Sequence, residues 1–102
     1  MKLITKNVEN IINKYPLYSQ DGKGDNAMVI CKFFLNGFTW YVLEGEKRDN
    51  DYLFFGIVEG VAKEYGYFTL SQLKEVRGMF GLGVERDMYF KPTSVGELGL
   101  LN

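Results

Sequence analysis

Apolar residues Val8, Ile11, Ile12 and Tyr15 recur among Lys6, Glu9, Asn10 and Asn13. This i, i+3, i+4, i+7 spacing lays one apolar stripe along a helix and predicts one over residues 5–15. Thr5 or Asn7 caps it, and Pro16 ends it. Leu17 and Tyr18 tack the exit onto the core, and residues 20–26, polar and glycine-bearing, read as a loop. The period then changes to that of strands. Residues 27–35 and 38–44 flank Asn36-Gly37, a pair that tolerates the positive φ of a tight hairpin turn. That turn sets Leu35 against Phe38, Phe33 against Trp40, Cys31 against Val42 and Val29 against Glu44. The face with Leu35, Phe33, Cys31, Phe38, Trp40 and Val42 is the core side. The reverse face mixes Phe34, Lys32 and Ile30 with Thr39, Tyr41 and Leu43, and is either partly covered or a contact surface.

Residues 45–51 are expected to form a charged loop before a strand over Tyr52–Val58 that is apolar on both faces and therefore central. Gly56 inside it signals a bulge or a close backbone approach. An aromatic strand, Tyr65–Phe68, runs into a short helix, Leu70–Arg77, that stops at Gly78. Thr69 and Gln72 have capping-box spacing, and Phe68 and Leu73 sit where a hydrophobic staple would join them. Gly78, Gly81 and Gly83 mark a mobile connector, with Met79, Phe80 and Leu82 packing inward. Residues 87–91 form a last strand ended by Pro92, and the tail, residues 93–102, makes one loose turn through Val95, Leu98 and Leu101. These elements predict one α+β domain over residues 1–102: an antiparallel sheet of four to five strands with two short helices packed on it.

Composition narrows the chemistry. The 102 residues are 46% hydrophobic and 16% aromatic, an aromatic load that suits sheet packing. The formal net charge of −1 and the scattered cations argue against an electrostatic grip on nucleic acid, and a DNA mimic would need far more negative charge. No histidine is present, which removes the commonest general base and zinc ligand. The single Cys31 has no disulfide partner in the chain, lies mid-strand on the core face and has no histidine to activate it. There is neither a signal peptide nor an apolar run long enough to span a bilayer, so a cytoplasmic protein without membrane contact is expected.

Among short motifs, Gly78-Met-Phe-Gly-Leu-Gly83 fits neither the dinucleotide fingerprint nor the P-loop. In Glu85-Arg86-Asp87, alternation separates Arg86 from the two acids, and structural pairing with Arg77 or a lysine is expected. Acids crowd residues 44–64, where Glu44, Glu46, Asp49, Asp51, Glu59 and Glu64 outnumber Lys47, Arg48 and Lys63. A solvated rim is the simplest reading of them, and a partner-binding rim is the second. Carboxylates alone also suit a divalent ion, for which Glu44, Asp51 and Glu64 are the candidate ligands, but no EF-hand spacing is present. No cofactor is expected beyond such an ion.

Four ordered blocks carry a family resemblance: Thr39-Trp-Tyr-Val-Leu-Glu44, Leu53-Phe-Phe-Gly-Ile-Val-Glu-Gly60, Glu64-Tyr-Gly-Tyr-Phe-Thr-Leu-Ser-Gln-Leu73 and Val84-Glu-Arg-Asp-Met-Tyr-Phe-Lys-Pro92. From about Leu17 onward the chain resembles the small bacterial proteins catalogued as domain of unknown function 2958. The resemblance transfers no catalytic residues. It implies carriage on plasmids, integrative elements and prophages, and hence a non-enzymatic inhibitor of host defence, such as an anti-CRISPR acting on a Cas nuclease. A partner's basic groove would meet Glu46, Asp49, Asp51, Glu59 and Glu64, with Tyr41 and Tyr52 as aromatic anchors at the same end of the sheet. The alternative is a carboxylate-based, metal-dependent nucleic-acid-binding protein or enzyme.

Overall fold

The turn at Asn36 (φ 27°) and Gly37 (φ 81°) sets the frame of the molecule. In a computed structural model that describes residues 1–101, it joins β2 (Cys31–Leu35) to β3 (Phe38–Arg48). Leu35 pairs with Phe38, Phe33 with Trp40 and Cys31 with Val42, the register that the turn chemistry predicts. β4 (Asp51–Glu59), β5 (Lys63–Thr69) and β6 (Glu85–Arg86) complete an antiparallel sheet in the order β5-β4-β3-β2-β6. A two-stranded sheet pairs β1 (Met28–Val29) with β7 (Thr93–Ser94). With α1 (Lys6–Ile12) and α2 (Leu70–Glu75), the architecture is α+β.

Local chemistry explains both helices. Thr5 accepts the amide of Val8 through its side chain and starts α1, and Ile12 is its buried residue. α2 carries the full capping box: Gln72 N–H donates to Thr69 Oγ1 at 3.1 Å, and Thr69 N–H donates to Gln72 Oε1 at 2.9 Å. Phe68 and Leu73 are buried in one cluster, as a staple requires. The helix ends at Glu75 rather than Arg77 because Val76 is extended and the Arg77 guanidinium turns back to cap the carbonyls of Lys74 and Val76.

Two clusters share the sheet. Phe33, Trp40, Val42, Tyr52, Phe54 and Phe68 pack with Ile12, Leu70 and Leu73 on the helix-covered face. On the reverse face Val29, Tyr41, Leu43 and Ile57 pack under Val95 and Leu100. The C-terminal tail thus covers part of the mixed face, using Val95, Leu98 and Leu100, while Leu101 is exposed. Asn102 lies outside the described residues.

Several expectations are corrected. Residues 45–51 are not a loop. They extend β3 and β4 into a hairpin whose tip is Asp49-Asn50, and Asp49 takes the positive φ (54°) such a turn needs. Val29 pairs with Thr93, not Glu44, because β3 bulges between Val42 and Glu44. The bulge lies opposite Gly56, where the backbones approach so closely that a Cβ would stand 1.9 Å from the Tyr41 carbonyl oxygen. Gly56 was therefore a true signal, but the extra residue sits in the facing strand. Beyond the bulge the alternation is reset: Gly45 faces Ile12 and Phe54, and Lys47 pairs with Tyr52. No strand forms over residues 87–91, because the Asp87 carboxylate accepts the Tyr89 amide and turns the chain. Phe38 is half-exposed, stacked on Trp40 with Gly60 beneath its ring.

Candidate functional site

A cleft of about 810 Å³ opens where residues 1–4 cross the ends of β3 and β4 and the helix α2. Its floor is aliphatic, with Leu3, Leu70, Leu73 and Val84 all buried. Its walls carry Lys2, Lys47, Lys74 and Arg77 against one acid, Glu9, a surplus of three positive charges in a chain of formal net charge −1. Glu9 is already engaged: Lys6 pairs with it at 3.1 Å, and the Tyr52 hydroxyl donates to it at 2.6 Å. The Tyr52 hydrogen bond, followed by Lys6, holds the Glu9 carboxyl below its usual range. Burial and the same carboxylate push the Tyr52 phenol up to about 12. Among the described residues, none of the four cleft cations makes an ion pair.

One rim of the cleft is the turn Gly78–Gly83, the segment expected to pack inward. It does the opposite. Phe80 is 92% exposed with φ 61°, Met79 69% and Leu82 55%. The Gly78 amide donates to the Leu82 carbonyl at 2.7 Å, Arg77 bridges to Gly83, and Gly78 rests on Leu35. A segment closed on its own backbone with its base against the core leaves its side chains nowhere to point but outward. The glycine spacing was the only sequence signal for it.

The acidic residues do not form one rim. Glu46 and Asp49 lie at the β3–β4 tip, where Glu46 pairs with Arg48 at 2.6 Å. Glu59 and Glu64 lie at the other end of β4, roughly 25 Å away at ~3.3 Å per residue, and Glu59 is bridged to Lys63. Asp51 is occupied by structure: it accepts the Ser71 amide and hydroxyl and the Tyr52 amide, which holds its carboxyl below its usual range, with the Ser71 hydroxyl the largest cause. Tyr41 and Tyr52 are buried, on opposite faces of the sheet and nearer opposite ends of β4. Neither is an available anchor.

The three candidate metal ligands are also kept apart. Glu44 pairs with Phe55, Asp51 with Arg48 and Glu64 with Val58. Glu44 is fully buried, and its carboxylate accepts the Tyr18 and Gln20 amides at 2.8 Å each. Among the described residues no three Asp, Glu, Cys or His side chains cluster as a metal would need. Cys31 is buried as expected, and burial pushes its thiol up to about 12, so little of the reactive thiolate forms near neutral pH. Asp87 faces Lys32 at 3.9 Å, while Arg86 ties down the N-terminal segment through the Lys2 and Leu3 carbonyls. No helix is long and apolar enough to cross a membrane among the described residues.

No curated protein and no solved structure matches the chain. A family described as protein of unknown function (DUF2958) matches it over residues 3–95, nearly its whole length, and the chain belongs to that family.

Proposed function

We propose that the protein acts by binding another protein rather than by transforming a substrate, and that this partner is an effector of host defence, a Cas-type nuclease first among those to test. The observation that carries the binding reading is the Gly78–Gly83 turn. A closed turn that presents Met79, Phe80 and Leu82 to solvent beside a cleft is the kind of exposed apolar patch that marks a protein contact. Phe80 is its natural anchor, since a large aromatic on a closed turn loses little freedom when it enters a pocket. The choice of partner rests on the family resemblance and what it implies about mobile elements. The acidic contact shrinks to Glu46 and Asp49, because Asp51 serves α2.

The test is co-purification with a Cas9-type effector and a DNA-cleavage assay. The parent chain is expected to inhibit cleavage, and Phe80→Asp to lose inhibition by at least tenfold, about 1.4 kcal/mol of binding, with an unchanged melting temperature. Asp tolerates the left-handed backbone at this position better than Phe does, so folding is not at risk. Inhibition that survives Phe80→Asp removes the turn from the contact. Failure to engage any effector removes the defence reading.

A further inference from the structure

We propose that the cleft beside this turn receives an acidic segment of the partner, a stretch of chain bearing Asp or Glu together with aliphatic side chains. The inference rests on the protein-binding reading and adds the chemistry of what is bound. Charge gives the first half. Lys2, Lys47, Lys74 and Arg77 surround the cleft without an acidic partner among the described residues, while its one acid, Glu9, is already held by Lys6 and Tyr52. Lys47 feels Glu9 and Lys74 feels Asp51 at longer range, but four cations still outnumber these two acids, and an anionic occupant relieves their mutual repulsion. Arg77 is held in place by its bonds to the Lys74 and Val76 carbonyls, so one of the four donors is set before binding.

The floor gives the second half. Leu70, Leu73 and Val84 offer aliphatic surface, which suits aliphatic side chains of a peptide. A nucleic acid would also satisfy the charges, but its bases need aromatic faces to stack on. Among the described residues Tyr52 is the only aromatic lining the cleft, with its ring buried and stacked on Phe54. Phe80 on the rim offers one exposed face rather than the run of them that successive bases use. The cleft volume of about 810 Å³ accommodates a few side chains, not a folded domain.

The test is selection of random linear peptides displayed on phage against the immobilised protein, followed by fluorescence anisotropy on the synthesised winners at low and high salt. Enrichment in Asp or Glu with Leu, Ile or Val is expected, with binding that weakens as salt rises. The double variant Lys47→Glu/Lys74→Glu should bind those peptides at least ~10-fold less tightly. Lys14→Glu/Lys23→Glu, two lysines that do not line the cleft, should change binding little, and both variants should keep the parent melting temperature. Winners without acidic residues, or binding indifferent to Lys47→Glu/Lys74→Glu, overturn the proposal. So does a single-stranded DNA of matched charge that binds more tightly than the best peptide. If acidic peptides occupy the cleft but no defence effector is engaged, the choice of partner falls and the cleft assignment stands. If an effector is inhibited equally by the parent and by Lys47→Glu/Lys74→Glu, the reverse holds.

Discussion

The two faces of the five-stranded sheet are closed by different means. On one, two capped helices press Ile12, Leu70 and Leu73 onto an aromatic layer in which Phe54 touches Phe33, Tyr52 and Phe68 at ring separations of 5.6–6.1 Å. The other has no helix. Its cover is the irregular C-terminal tail, fastened by the β1–β7 pairing and by Val95 and Leu100. Beside that tail, polar groups hold the chain: Gln20 bonds the Met28 and Leu43 backbones, and Glu44 accepts the Tyr18 and Gln20 amides. Farther out, Tyr65 stacks on Phe55, Tyr67 packs tilted against the same ring, and both are half in water. One face is held by apolar volume and the other in good part by directional bonds, so they should fail differently.

The largest break should come from volume. Phe54→Ala empties the centre of the helix-covered layer and is expected to cost about 3–5 kcal/mol, whereas Tyr67→Ala on the reverse face should cost within roughly 0.5 kcal/mol. Urea unfolding of both variants measures the contrast, and near-equal losses would erase it. Next comes Glu44→Ala, which leaves the Tyr18 and Gln20 amides without their acceptor and should cost about 1–3 kcal/mol. Amide exchange should quicken first at those two positions, ahead of the β2–β3 ladder. The smallest effect is set by pH. The Tyr52 phenol is raised to about 12 from the ordinary value near 10, so its neutral form favours the fold. That stability is fully present below pH ~10 and is lost as pH rises through ~12. Tyr41 and Tyr67 are also raised, so tyrosinate absorbance against pH should show several late tyrosines, and the one near 12 should vanish in Tyr52→Phe.

The same contrast explains what could be read from the sequence. Asn36-Gly37 and the Thr69–Gln72 box are chemistry within a few neighbouring residues, and each fixed its element. The Asp49-Asn50 hairpin was missed because a charged run looks like a loop until the strands beside it are known to pair. The acidic residues looked like one surface only because they are close in sequence. An antiparallel strand carries Asp51 and Glu59 to opposite ends of the molecule. The cleft was invisible for the converse reason: Lys2, Lys47, Lys74 and Arg77 are scattered along the chain and meet only in three dimensions. Outward-facing Phe80 departs from the usual meaning of an aromatic residue, which is the kind of violation a contact surface produces.

The bulge opposite Gly56 has a reach beyond its own two strands. Strict alternation from Val42 would turn Glu44, Glu46 and Arg48 toward the helices and Lys47 away from them. One additional residue in β3 reverses that parity, so Lys47 enters the cleft and Glu46 leaves it. The polarity of the cleft is therefore written partly in the residue count of a strand. Deleting Leu43 would remove the bulge yet leave Lys47 in the cleft, whereas deleting Gly45, beyond the bulge, would exchange Lys47 for Glu46 there without altering any charged residue.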